Sequence, residues 1–311
     1  MDIELFYEKM EELHGQGGPD RLERFLRQSL SGAERTGDPA LALAAQSELG
    51  TFYRGTGRYQ ESLDAFRQAE QWAETLYGAD SCAYATVLNN AAGTCRLMHR
   101  CVEAEELFLR AMEVYRRAGL EHSRVYTSVL SNLSLMYQQN GDLQKAIAYL
   151  EQALTHMEDQ ADRQQELAVT YNNLTALYHA AGEREKAMQC VNRALQAYER
   201  CPEAERVCYT AVLNSLAGYL YGEGDCHRAL ALYRQSSRYA LQFFGETEEY
   251  GVICQNMRWV YEKLGDREAA MRCLRRAGTV YAKLFGPDSD RTRAVEEELR
   301  RMGTENVGNG A

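Results

Sequence analysis

The sequence lacks any apolar run approaching the roughly 18 residues that a membrane-spanning helix needs. Its first residues, Met1-Asp2-Ile3-Glu4, are acidic and lack the basic and apolar regions of a signal peptide. A soluble, cytoplasmic chain is expected, with no membrane partner. There is no basic excess either: the formal net charge is −10 over 311 residues. Nucleic-acid binding favours a basic stripe, so no nucleic-acid partner is expected. Nine cysteines are present, an odd number with no CxxC pair. That pattern fits a reducing compartment better than a disulfide framework. Cys190, Cys254 and Cys273 fall on apolar positions, where a thiol acts as a small hydrophobe.

Enzyme signatures are also missing. The chain has no HExxH, no P-loop and no GxSxG. Its six histidines show no metal-ligand spacing. Gly15, Gly17 and Gly18 follow a helical stretch rather than a strand, so they read as a turn and not as a dinucleotide loop. No catalytic residue, metal or cofactor is expected. Two sequons, at Asn132 and Asn173, lie inside predicted helices and are read as coincidental.

What is present is a period. A small residue recurs at Ala69, Ala111, Ala153, Ala194, Ser236 and Ala277, with gaps of 42, 42, 41, 42 and 41. So regular a spacing predicts a stacked solenoid rather than one globular core. Each unit reads as helix A, a tight turn and helix B. In the third, Leu130, Leu133 and Tyr137 lie on one helical face. Gly141 follows in a position suited to a left-handed backbone, and Asp142 stands where it can cap helix B. The turn glycine recurs at 57, 141, 182, 224 and 265, while the second unit has His99 there. A non-glycine residue in that conformation is uncommon, so this turn is either reshaped, in contact with something, or simply drifted.

The order Leu-x-x-Leu-small-x-x-Tyr, Gly, then Ala-apolar-Ala resembles the tetratricopeptide repeat, whose basic unit is about 34 residues. The extra residues lengthen helix B and its exit, as in Leu76-Tyr77-Gly78 and Leu284-Phe285-Gly286. With Leu88-Asn89-Asn90 and Tyr171-Asn172-Asn173, they resemble the long repeats of kinesin light chains and their bacterial relatives. The resemblance implies an all-α, right-handed α-solenoid of helix–turn–helix repeats. The expected organisation is a degenerate N-terminal hairpin over residues 1–38, six repeats over 39–287, a capping helix over 288–302 and a disordered tail over 303–311.

In such repeats helices A line a concave wall, and ligand contacts come from three helix A positions. The first reads Ser47, Asn89, Ser131, Asn172, Asn214 and Gln255, all polar and uncharged. A carboxamide both donates and accepts, so a row of them suits extended peptide backbone. The competing reading is that these side chains bond to neighbouring helices; Asn90, Asn132, Asn173 and Asn256, one place later, read as structural. The second position reads Thr51, Gly93, Leu135, Ala176, Gly218 and Trp259. Its small residues would leave pockets, and Leu135 and Trp259 would give apolar contact, unless the Trp is simply packed. The third reads Arg54, Arg96, Gln138, His179, Tyr221 and Glu262. Arg54 and Arg96 would either grip a ligand carboxylate or pair locally with Glu48 or another acid. Tyr84, Tyr126, Tyr209 and Tyr250 precede the helix A apolar position by four and read as core.

The expected function is non-catalytic: a scaffold whose groove takes a peptide or an extended segment of a partner protein. The alternative is a peptide-responsive regulator acting through a separate output protein, similar to bacterial peptide-pheromone receptors. Oligomeric state is left open by the sequence.

Overall fold

The computed structural model describes residues 2–16, 18–157, 160–201 and 210–304. Among them are fifteen α-helices and no strand. They fall into two compact units, Met1–Asp159 and Gln160–Ala311. Unit 1 holds α1 (Ile3–Gln16), α2 (Pro19–Thr36), α3 (Pro39–Gly55), α4 (Tyr59–Tyr77), α5 (Cys82–Leu97), α6 (Cys101–Arg117), α7 (Arg124–Gln139) and α8 (Leu143–Thr155). Unit 2 holds α9 (Gln164–Ala180), α10 (Arg184–Arg200), α11 (Thr210–Gly222), α12 (Cys226–Tyr239), α13 (Glu248–Lys263), α14 (Arg267–Phe285) and α15 (Asp290–Thr304). No described helix is long and apolar enough to cross a membrane. Each unit is an α-solenoid in which the two helices of each A–B pair pack together and successive A helices are neighbours.

The periodic small residues are the points of closest packing. Ala69, Ala111, Ala153, Ala194, Ser236 and Ala277 are all fully buried. Ser236 is satisfied, because its hydroxyl donates to the Thr210 carbonyl at 2.9 Å. A buried hydroxyl without such a partner would cost about 1–3 kcal/mol. Tyr84, Tyr126 and Tyr250 are core residues, as expected, and the Tyr84 hydroxyl reaches Glu70 at 2.6 Å. Tyr209 lies outside the described residues, as does Cys208.

The A–B turns share one geometry. Gly57, Gly141, Gly182, Gly224 and Gly265 all have φ between 77° and 88°. In each, the next amide donates five residues back, for instance Asp142 N to Tyr137 O at 2.9 Å and Asp266 N to Tyr261 O at 2.9 Å. His99 holds the same place with φ 57°, and Arg100 N donates to Cys95 O at 2.9 Å. The turn is therefore not reshaped; the histidine adopts the left-handed conformation that glycine takes elsewhere. Asp142, Asp225 and Asp266 cap the following helices through their carboxylates.

The N-terminal hairpin is fastened to the first repeat by Arg58. Its guanidinium donates to Glu23 of α2 at 2.8 Å, binds Glu61, and lies 4.3 Å from the Tyr53 ring centre. Glu23 is partly desolvated, yet its hydrogen bonds from Arg58 and Arg27 hold the carboxyl below the usual range. At the other end, α15 packs on α14 and buries Val295 and Met302. Arg258 of α13 is nearly fully buried and bridges Glu262 at 2.8 Å and Glu298 of α15 at 2.5 Å. The last helix runs to Thr304, past residue 303 where the sequence suggests a disordered tail to begin; residues 305–311 lie outside the described ones.

Two glycines in unit 2 make opposite predictions. A Cβ on Gly251 would sit 2.5 Å from Tyr281 Cε1, whereas one on Gly218 would meet only the Tyr233 hydroxyl at 3.4 Å. Gly251→Ala should destabilise unit 2 by about 1–3 kcal/mol through overpacking. Gly218→Ala should be neutral or stabilising by up to about 1 kcal/mol through helix propensity. Urea unfolding followed by circular dichroism compares them. In unit 1, His99→Gly should relieve a left-handed non-glycine residue and raise the urea midpoint, by up to about 1 kcal/mol of stability; an unchanged or lower midpoint would show that the imidazole makes a compensating contact.

Candidate functional site

In unit 1 helices α3, α5 and α7 are neighbours, and in unit 2 α9, α11 and α13 are. The three expected positions lie on these neighbouring helices. Ser47, Asn89, Ser131, Asn172, Asn214 and Gln255 are all half-buried. Their bonding differs in detail. Asn132 Nδ2 donates to Asn89 Oδ1 at 3.1 Å, and Asn256 Nδ2 donates to Asn214 Oδ1 at 3.1 Å. The asparagine one place later thus reaches back to the stripe residue of the preceding repeat. This bridge spends an acceptor of Asn89 and of Asn214, and it leaves their own NH2 groups as donors. Gln255 accepts from the Tyr281 hydroxyl at 3.0 Å, and Ser131 donates to the Thr127 carbonyl at 3.0 Å. Asn172 forms no such bridge. Asn89 and Asn214 are thus paired structurally with the next repeat, a bond that single-chain spacing does not reveal.

At the second position the expected pockets are partly filled. The space over Gly93 is taken by Arg54, whose Nη1 would lie 3.1 Å from a Cβ there. Tyr233 covers Gly218. Ala176, Thr51, Leu135 and Trp259 are exposed. One face of Trp259 is nevertheless covered, with the Arg258 guanidinium carbon 3.3 Å from its ring centre. The tryptophan both shields the buried Arg258–Glu298 bridge and offers an apolar face to solvent.

The third position holds the electrostatic feature of unit 1. Arg54 Nη1 donates to the Asn90 carbonyl of α5 at 3.1 Å, and its guanidinium carbon is 5.8 Å from the buried Phe66 ring. No carboxylate among the described residues forms an ion pair with Arg54 or Arg96. Glu48, the acid nearest in sequence, acts instead on Tyr7. Arg96 is half-buried, and its Nε is shielded from solvent without a hydrogen-bond partner. Burial and the neighbouring Arg96 charge hold Arg54 below the ordinary guanidinium range; burial does the same to Arg96. Two like charges are thus brought together and partly desolvated, and neither makes the local ion pair with Glu48 or another acid among the described residues. Gln138 is exposed on α7, and in unit 2 His179 and Glu223 stand 3.8 Å apart.

No group of three or more metal-ligating side chains occurs among the described residues. Burial pushes the Cys95 and Cys254 thiols up to about 11, the opposite of what a nucleophilic thiolate needs.

Comparison with known proteins places this geometry. The family model of the tetratricopeptide repeat matches residues 41–117 and 125–200. The crystal structure of BtubC (BKLC) from P. vanneervenii is similar at 27% identity, over 63% of this chain and 79% of that one, with a TM-score of 0.55. A Rap protein complexed with competence and sporulation factor is similar over 97% of this chain and 85% of its own, at 14% identity and a TM-score of 0.59. Aspartyl phosphate phosphatase F from Bacillus subtilis aligns over 92% of this chain and 70% of its own, at 12% identity and a TM-score of 0.63. The last two likenesses concern the fold alone. With paired helices, left-handed A–B turns and buried small residues in the matched segments, this chain is a tetratricopeptide-repeat protein.

Proposed function

We propose that the protein is a non-catalytic interaction scaffold that binds an extended segment of a protein partner, or a peptide, along its A-helix walls. The observation that carries this reading is the Arg54–Arg96 pair, two half-buried guanidiniums with no ion-paired carboxylate among the described residues. Assembling like charges costs free energy that an anionic ligand group recovers. Asn89 and Asn214 support it, because their bridged oxygens orient them as donors to a peptide carbonyl. Ser47, Ser131, Asn172, Gln255, Gln138 and Trp259 complete the proposed contact set. The free thiols among the described cysteines fit a cytoplasmic location.

A second reading, a regulator that changes state on binding a peptide and acts through another protein, is favoured by the Rap likeness, since that protein was solved with a factor bound. Small-angle scattering separates the two: a regulator changes its radius of gyration when ligand is added, and a static scaffold does not.

Capture of partners from the native organism, followed by a peptide array of each captured protein, tests the wall. Arg54→Gln/Arg96→Gln should weaken binding of the mapped peptides at least tenfold while leaving the melting temperature unchanged or slightly raised. Asn172→Ala/Asn214→Ala should also weaken them. Parent-like binding by both double variants would falsify the wall as the binding surface.

A further inference from the structure

The N-terminal hairpin does more than close the end of the solenoid. Between it and the first repeat lies a cavity of about 340 Å³, walled by Met10 and Leu13 of α1, Leu22 and Leu26 of α2, and Phe52 of α3. Leu22 and Leu26 are buried and the other three are half-buried, so the cavity is apolar and open on one side. Its rim includes Thr51, an exposed residue of the A-helix wall. The cavity therefore opens onto the surface that also carries Arg54, one helical turn further along α3.

The cavity and the arginine pair lie on opposite flanks of α3. Residues 51, 52 and 55 face α1 and α2, whereas Arg54 reaches α5. Packed helices are about 8–10 Å apart, and an extended chain advances about 3.3 Å per residue. A segment crossing α3 would span the two sites with about three residues. The volume is at the small end of the roughly 300–1,000 Å³ of ligand pockets, which suits one bulky apolar side chain and not a cofactor. The guanidiniums of Arg54 and Arg96 suit an acidic group, and the cavity suits an apolar one.

We infer that this cavity is a side-chain subsite: the protein takes segments of a partner protein in which a bulky apolar residue stands about three positions from a carboxylate. The apolar side chain enters between α1, α2 and α3, and the carboxylate meets Arg54 and Arg96. This inference rests on the wall reading given above and adds the ligand's sequence pattern to it.

The test is selection of a random dodecapeptide phage library on the full chain, then fluorescence titration of the enriched peptides. Enriched sequences should share an apolar residue about three positions from Asp or Glu, in either order. Thr51→Trp fills the cavity from its exposed rim. Gly55→Leu does so independently, since a Cβ at Gly55 meets nothing within 4 Å. Each should weaken the peptides about tenfold to a hundredfold, the effect of losing one buried side chain. Alanine in place of the peptide's apolar residue should cost as much on the parent and nothing more on Thr51→Trp. Circular dichroism confirms that both variants fold.

The outcomes are separable. Loss in Arg54→Gln/Arg96→Gln with parent-like binding by Thr51→Trp and Gly55→Leu keeps the wall and overturns the cavity. Loss in the cavity variants alone upholds the cavity and removes the arginines from the ligand site. No loss in any variant, or no enrichment at all, overturns both.

Discussion

Close packing at one small residue per repeat is the constraint on which the rest depends. A helix B that keeps Ala or Ser at its crossing point lets the neighbouring helices approach until no solvent reaches that residue. Any larger side chain there would demand overpacking at a cost of about 1–3 kcal/mol. Once the crossing points are set every 41 or 42 residues, the A–B turns must close within a few residues. That explains the left-handed φ at each turn and the repeated amide-to-carbonyl bond across it. His99 shows the hierarchy of terms. The backbone keeps its geometry and the histidine bears the local strain, because moving the turn would disturb packing on both sides.

The same logic sorts what the sequence discloses. Crossing points, turn glycines and the buried tyrosines are legible because each is one packing requirement met by one residue type at one spacing. The bridges Asn132–Asn89 and Asn256–Asn214 are not legible. They join a position in one repeat to the neighbouring position in the next, so neither asparagine alone marks them. Nor does spacing reveal that Arg54 fills the room above Gly93. Reading Gly93 as an empty pocket treated one helix by itself, whereas the space above it belongs to the helix before. The cavity under the N-terminal hairpin was hidden for a related reason: the hairpin is degenerate, and its apolar residues are indistinguishable by pattern from those of a closed cap.

Charge follows a different rule from packing here. Arg258 and Arg54 both sit at least half-buried on helix A, yet they are treated oppositely. Arg258 is nearly inaccessible and meets two carboxylates, one from its own helix and one from α15. A buried guanidinium needs such partners, because removing one is strongly destabilising. Arg54 has a carbonyl and an aromatic ring but a second arginine where an acid would be expected. If folding alone had set its surroundings, pairing would be the cheaper arrangement.

That contrast is what the proposed binding surface rests on. In a repeat scaffold the periodic residues answer to packing, and their chemistry is fixed by what the next repeat requires. Positions free of that demand are those whose local arrangement is unfavourable or incomplete without something else. In unit 1 they lie together: two guanidiniums with no ion-paired carboxylate among the described residues on one flank of α3, and an open apolar cavity on the other. A surface that is electrostatically strained on one side and under-packed on the other is what the proposed segment, with a carboxylate and a bulky apolar side chain held a helix width apart, would complement.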